Sequence, residues 1–336
     1  MSKVSVLGAG SWGIALAKLL YNNGNEVTVW SALEDEITML KEKREHVEKL
    51  PGVKLPDDMI FTSDLKEAVE NREVLVMAVP SPFVASTAAK VNEFYKRGQV
   101  IVNVAKGIEG DTLLTLSAVI EREVENSIVA VLSGPSHAEE VGRGIPTTIV
   151  VATKQKEVAM YLQKMFMSDV FRVYTSPDVI GVEIGAALKN VIALAAGIAD
   201  GLNYGDNTKA ALITRGMAEI TRLGIAMGGR KETFYGLSGV GDLIVTCASM
   251  HSRNRRAGIL IGQGKTLKEA QDEVKMVIEG ANCAKAALAL SEKYNIEMPI
   301  VKEVNRILFE NKSAKIACDD LMIRDAKIEI SAKEWE

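Results

Sequence analysis

Lys189 lies within EIGAALKNVIALAAGIADG, which runs from Glu183 to Gly201 and is apolar nearly all round. At helical spacing it shares a face with Gly185, Ala186, Ile192, Ala193 and Ala196, so its stem is expected to be covered by protein. A buried ammonium without a partner or a task is costly. Two readings stand on this pattern: a lysine that snorkels to solvent, or one that desolvation tunes for proton transfer. Lys106 is a second candidate cation. It follows the strand-like VIVNVA, and in an open parallel sheet the carboxyl ends of strands face the ligand crevice. Asp242, in LSGVGDL, is expected on a tight glycine-rich loop, where its carboxylate can orient a lysine. In HSRNRRAG, Arg253 at a helix start has the chemistry of a phosphate clamp. Gly134-Pro135 forms a turn ahead of Ser136, whose hydroxyl can bond a substrate oxygen. A Ser136–His137 pair is not expected, because adjacent side chains seldom face each other.

These residues need elements to position them. The segment VSVLGAGSWGIALAKLL sets Gly8, Gly10 and Gly13 as G-x-G-x-x-G between a strand and a helix, the context that makes this fingerprint informative. Gly8 permits the turn, Gly10 admits a pyrophosphate, and Gly13 lets helix and strand pack closely. The second strand, EVTVW, ends at Trp30 and continues Ser31-Ala32, so the carboxylate that usually binds the ribose of NAD is missing there. That absence favours NADPH, with Ser31 as a donor to its extra phosphate, although a shifted helix start brings Glu34 to the ribose instead.

Short β-branched runs alternate with helical stretches from Lys3 to about Tyr174, as in VLVMAV, SIVAVLS and TTIVVAT. Runs that are apolar without alternation read as strands buried on both faces of a mainly parallel sheet. Between the second and third of them, KREHVEKLPGVKLPDD is expected to be a mobile surface excursion. After SPDVIG, with a helix N-cap expected at Ser176, helical periodicity takes over to about Arg324. The expected architecture is α/β: a Rossmann-type, doubly wound, mainly parallel sheet followed by an all-α C-terminal domain. Residues 1–178 form the dinucleotide-binding domain, 179–325 a helical substrate domain, and 326–336 a charged tail.

Composition narrows the function classes. The chain has 336 residues, 47% hydrophobic and 25% charged, and a net charge of -4, which gives no general attraction to nucleic acid or anionic membrane. No secretory leader and no uninterrupted apolar span are evident, so the protein is expected in the cytoplasm with no membrane span. Cysteines at 247, 283 and 318 show no paired or metal-ligating spacing, and three histidines without a zinc motif predict no metal site. GILIGQGKT fails the spacing of a phosphate-binding P-loop; a helix end at Gly264 and a new start at Thr266 is the expected reading.

Seven motifs in order, GAGSWGIALA, NVAKGIE, LSGPSHAEE, ALKN, LSGVGDL, HSRNRRAG and VIEG, give the chain a resemblance to the bacterial biosynthetic NAD(P)-dependent glycerol-3-phosphate dehydrogenases. The family interconverts dihydroxyacetone phosphate and sn-glycerol 3-phosphate by hydride transfer, supplying glycerophospholipid synthesis. The resemblance implies that Lys189 is the catalytic lysine, with Lys106 and Asp242 beside it. It places the cofactor, NADP or NAD, at Gly8, Gly10, Ser11, Trp12, Gly13, Ser31, Lys106, Ala138, Arg253, Val277 and Glu279. The small phosphorylated substrate falls to Lys106, Gly134, Ser136, Lys189, Asp242, Ser252, Arg253 and Asn254, with Arg255 and Arg256 left to solvent. Such enzymes are often homodimers. Two other readings remain: a related hydroxyacid or 6-phosphogluconate-type dehydrogenase, and a non-catalytic NAD(P)H-binding redox sensor.

Overall fold

The structure, a computed structural model, describes residues 1–275, 277–326 and 328–329. The expected runs form β1 (Lys3–Leu7), β2 (Glu26–Trp30), β4 (Val74–Met77), β5 (Val100–Asn103), β6 (Ile128–Ser133) and β7 (Thr147–Ala152). Two strands escape the sequence pattern, β3 (Ile60–Thr62) and β8 (Phe171–Ser176). The first is three residues long, and the second is an edge strand with exposed Arg172, Tyr174 and Thr175. All eight join one sheet in the order β3-β2-β1-β4-β5-β6-β7-β8, parallel except where β6 meets β7. Its first six strands have the dinucleotide-fold order, whose switch point lies between β1 and β4. Chain ends of β1, β2, β4, β5 and β6 therefore converge on one crevice.

The helices of this half are α1 (Ser11–Asn22), α2 (Glu34–Lys43), α3 (Leu65–Val69), α4 (Val84–Asn92), α5 (Leu116–Glu123), α6 (Ala138–Val141) and α7 (Lys156–Phe166). They cover the sheet on both sides, with one apolar cluster around Ile14, Leu16 and Phe166 and another around Leu75, Ile101 and Ile120. The glycine fingerprint is enforced by backbone crowding. Gly8 has a φ of 121°, and a Cβ added at Gly13 would lie 2.0 Å from the Gly8 carbonyl oxygen. Gly13→Ala must therefore push α1 off β1; a loss of roughly 1–3 kcal/mol is expected, as for overpacking, together with weakened nicotinamide nucleotide binding. Thermal melting with and without cofactor checks both.

Two expectations fail in this half. The 43–58 segment is not a mobile surface excursion: His46, Leu50, Val53 and Leu55 are buried, and Arg44 donates to the carbonyls of Pro56 and Met59. Three of its apolar side chains, Leu50, Val53 and Leu55, point inward while Val47 stays exposed, a split that charge-rich composition concealed. Ser176 is not a helix N-cap but the last residue of β8. The cap is Asp178, which accepts from the Gly181 N–H at 2.9 Å.

The second half is helical: α8 (Val179–Gly201), α9 (Asp206–Ala226), α10 (Lys231–Phe234), α11 (Asp242–Ala248), α12 (Arg253–Gly262), α13 (Leu267–Val274), α14 (Glu279–Lys293), α15 (Pro299–Phe309) and α16 (Ala314–Met322). Thr266 opens α13 with a full capping box, as expected. In length and hydropathy α8 does reach the measure of a membrane span, but its most apolar window is 89% buried, packed by α9, α11, α12, α14 and α15. Glycines bring α8 and α12 into backbone contact: a Cβ at Gly197 would lie 2.1 Å from the Arg255 carbonyl, and one at Gly258 2.3 Å from that of Leu194. The start of α12 is thereby held against α8. Most of the expected charged tail, 326–336, lies outside the described residues.

Candidate active site

Lys189, on the central helix α8, is 5% exposed. Its ammonium ends inside the protein, donating to Asp242 Oδ1 and, at 2.8 Å, to Thr246 Oγ1. The snorkelling reading therefore fails. Lys106, three residues beyond the end of β5, reaches the same carboxylate from the other side, 2.8 Å from Asp242 Oδ2, and also donates to the Gly134 carbonyl at 3.3 Å. One carboxylate thus receives two ammonium groups, one on each oxygen and one from each half of the chain.

Electrostatics follow from this sharing. Burial pulls the Lys189 ammonium down, to about 8, and the charge of Lys106 adds to the effect while Asp242 opposes it. Burial alone would raise the Asp242 carboxyl, but the two ammonium groups outweigh it and hold it below the ordinary carboxylate range. Asp242 is not on a tight loop as expected. Gly241 donates to the Gly236 carbonyl five residues back, making a π-helical turn over Leu237–Gly241, so that Asp242 opens α11. Thr246, one helical turn on, accepts from Lys189 and donates to the Asp242 carbonyl at 2.6 Å. The sequence reading missed it, although a hydroxyl four residues after a candidate aspartate shares its helix face.

The rim is built from the ends of strands and helices. Gly134 and Ser136 follow β6, and the Ser136 hydroxyl donates to the Gly134 carbonyl at 2.9 Å rather than pairing with His137. The His137 ring instead lies 5.7 Å from that of His251, and burial, then the charge of Lys189, lowers its pKa. Ala138 opens α6. Ser252 caps α12, accepting from the Arg255 N–H at 3.2 Å, and no acidic residue stands in the first turn that begins with Arg253. Asn254 ties α12 to its neighbours: it donates to Asn190 Oδ1 at 3.0 Å and accepts from the Gly280 N–H at 2.9 Å. Asn190, another polar residue the sequence reading passed over, reaches Glu279 at 3.5 Å. Val277 is exposed just ahead of α14. Arg255 is not left to solvent: its guanidinium pairs with Asp200 at 2.7 Å and bonds the Ala248 carbonyl. Burial pushes the Cys247 and Cys283 thiols up to about 12, which removes them as nucleophiles.

A dinucleotide fits the end of β1. The N-cap of α1 is Gly10, which supplies no side-chain acceptor, no acidic residue follows in the first turn, and a Cβ at Gly10 would meet nothing within 4 Å. The first-turn N–H groups of α1 are thus left without a side-chain cap, beside open space at Gly10 that suits a pyrophosphate. At the end of β2 the Ser31 hydroxyl donates to Glu36 at 2.5 Å, and Glu36 also accepts from His46 and Lys49. Burial opposes ionisation of Glu36, yet these donors bring it down to about 2. A carboxylate does stand beside Ser31 after all. It is Glu36, not Glu34, and its charge is already answered by Lys49.

The sheet end suits a dinucleotide and the α8 cluster can hold and pass one proton; nicotinamide-dependent dehydrogenation is the reaction class that uses both. Comparison with known proteins narrows the class. Residues 3–159 match the family model for the NAD-dependent glycerol-3-phosphate dehydrogenase N-terminus, and residues 178–319 the one for its C-terminus. A glycerol-3-phosphate dehydrogenase [NAD(P)+] of Agathobacter rectalis is 62% identical, covering 100% of both chains. Its counterpart from Fusobacterium nucleatum is also 62% identical, over 99% of this chain and 100% of that one. The crystal structure of glycerol-3-phosphate dehydrogenase from Coxiella burnetii superposes with a TM-score of 0.93 at 36% identity, covering 96% of this chain and 99% of that one. The chain belongs to the NAD-dependent glycerol-3-phosphate dehydrogenases.

Proposed function

We propose that the chain reduces the C2 carbonyl of dihydroxyacetone phosphate to sn-glycerol 3-phosphate, with NADPH preferred over NADH. The observation that carries this reading is the buried Asp242 carboxylate clamped between Lys106 and Lys189. The bound nicotinamide supplies the hydride that C2 receives. Lys189, near 8, gives its proton to the carbonyl oxygen as that oxygen becomes an alkoxide. Lys106 stabilises the developing negative charge. Asp242 bridges the two ammonium groups and, with Thr246, fixes the position of Lys189. Arg253 and the free N–H groups at the start of α12 take the phosphate, supported by Ser252 and Asn254. Gly134 and Ser136 line the substrate, while Ala138, Val277 and Glu279 border the nicotinamide side.

NADPH is favoured because Glu36 is already neutralised and the half-exposed Lys49 stands beside it. The same reading divides the chain at 178/179 into nucleotide and substrate domains, with a tail from 326. It also makes the protein a cytoplasmic homodimer that feeds glycerophospholipid synthesis. Loss of nicotinamide absorbance on adding dihydroxyacetone phosphate, with NADPH and NADH in parallel, tests the proposal. Faster oxidation of NADPH is expected. Cofactor binding without turnover would favour the sensor reading instead.

Arg253→Ala is expected to raise the KM for dihydroxyacetone phosphate by about ten- to a hundredfold, the loss of one charge-assisted hydrogen bond. Turnover of unphosphorylated dihydroxyacetone should hardly change. Equal effects on both substrates would remove the phosphate from Arg253.

A further inference from the structure

Glu183 is a buried carboxyl, 5% exposed, for which the mechanism above has no task. It projects from the first turns of α8 into the other half of the chain. There it accepts from the Ser117 N–H at 2.9 Å and from the Ser117 hydroxyl, and the Thr115 hydroxyl also reaches it. Thr115 is the N-cap of α5, but its side chain does not cap that helix. A carboxyl from the helical half does so in its place, satisfying one of the N–H groups that every helix start leaves open.

The same oxygen that accepts from the Ser117 N–H also accepts from Asn103 Nδ2, at 3.3 Å. Asn103 is the last residue of β5 and is fully buried. Its amide folds over the turn that follows: Oδ1 accepts from the Ala105 N–H at 3.1 Å, and Nδ2 donates to the Ala105 carbonyl at 3.2 Å. The next residue is Lys106. A continuous chain therefore runs from α8 through Glu183, Asn103 and Ala105 to Lys106, and α8 carries Lys189 as well. All the donors on Glu183 are neutral, so its hold is one of geometry rather than charge pairing.

We infer that Glu183 is a positioning residue that, through Asn103, fixes the Lys106 loop relative to Lys189, so that both ammonium groups meet across Asp242. The inference rests on the proposed roles of Lys106 and Lys189. Two lysines from different halves can share one carboxylate only if the halves are held in register beside it.

The test measures kcat, KM and thermal melting for a set of variants. Glu183→Met keeps the length of the side chain but removes both acceptors; kcat is expected to fall tenfold or more. Glu183→Gln should recover most of it, because its carbonyl can still accept from Asn103 while its amide donates to the Ser117 hydroxyl. Asn103→Ala should match Glu183→Met, and the double variant should be no worse than the poorer single, as coupled residues behave. Ser117→Ala loosens the α5 end alone, and is expected to lower the melting temperature with kcat within twofold of the parent enzyme. If Glu183→Met does not fold, the contrast between Asn103→Ala and Ser117→Ala decides. Normal kcat in Asn103→Ala, or multiplicative effects in the double variant, would overturn the inference. Lys106→Ala separates the two failures. Full turnover there refutes the proposed mechanism, whereas an inactive Lys106→Ala beside a normal Asn103→Ala refutes only the positioning role.

Discussion

Lys189→Met is expected to reduce turnover of dihydroxyacetone phosphate by roughly 10²- to 10⁴-fold, the contribution of a positioned general acid. Methionine fills the same length within an apolar helix, so packing around α8 should survive, and Lys106 still answers the Asp242 charge. Cofactor affinity should change little, because the glycine cradle at β1 does not touch this side chain. Steady-state kinetics with a parallel titration of nicotinamide fluorescence separates the two effects. Turnover within tenfold of the parent enzyme would assign the proton to another group.

The second large effect is expected at Asp242→Asn. Two ammonium groups would then converge on a neutral amide, and breaking a buried ionic cluster in this way costs about 3–5 kcal/mol. Catalysis should fall as well, with a change in pH dependence whose sign is fixed. In the parent enzyme Lys189 must be protonated to reduce the carbonyl, so the forward rate should decline as pH rises through about 8, and oxidation of sn-glycerol 3-phosphate should gain over the same interval. Asp242 is what supports the charged form of Lys189 against burial and Lys106. Without it, less of the ammonium survives at any given pH, and both limbs should move to lower pH. Rates of reduction and oxidation measured from pH 6 to 10, alongside thermal melting, test this; an unmoved limb would detach the observed titration from Lys189.

Much of the site was legible because its signals are local. The fingerprint Gly8, Gly10 and Gly13 reads as a nucleotide turn from spacing alone: a Cβ at Gly8 would strike the Ala78 backbone and one at Gly13 the Gly8 carbonyl, while Gly10 leaves the space beside it open. Lys189 stood out because a charge in an apolar helix needs an explanation. Other signals were ambiguous for equally physical reasons. The segment around His46 is polar in composition, yet its four inward side chains decide its fate, and which side chains point inward depends on what they meet, Glu36 of α2 for His46 and the chain after α6 for Leu50 and Val53. Glu36 gives no sign of this role in the sequence, because only the turn of α2 brings its carboxylate back to Ser31.

The sequence by itself therefore determined the alternating strands and helices, the anion cradle after β1, the change to an all-helical half after β8, and the residue types available for proton transfer. Each follows from short-range sterics and from hydrophobic periodicity. Tertiary structure alone decided that Lys106 and Lys189 share one carboxylate, that Thr246 completes it, that Arg255 is taken by Asp200, and that Glu183 caps a helix in the other half. Those contacts join residues tens of positions apart, and they arise only when close glycine-mediated packing on α8 has put separate elements within hydrogen-bond reach. Burial then does what no local pattern encodes: it sets the lysine near 8 and leaves it a proton to give.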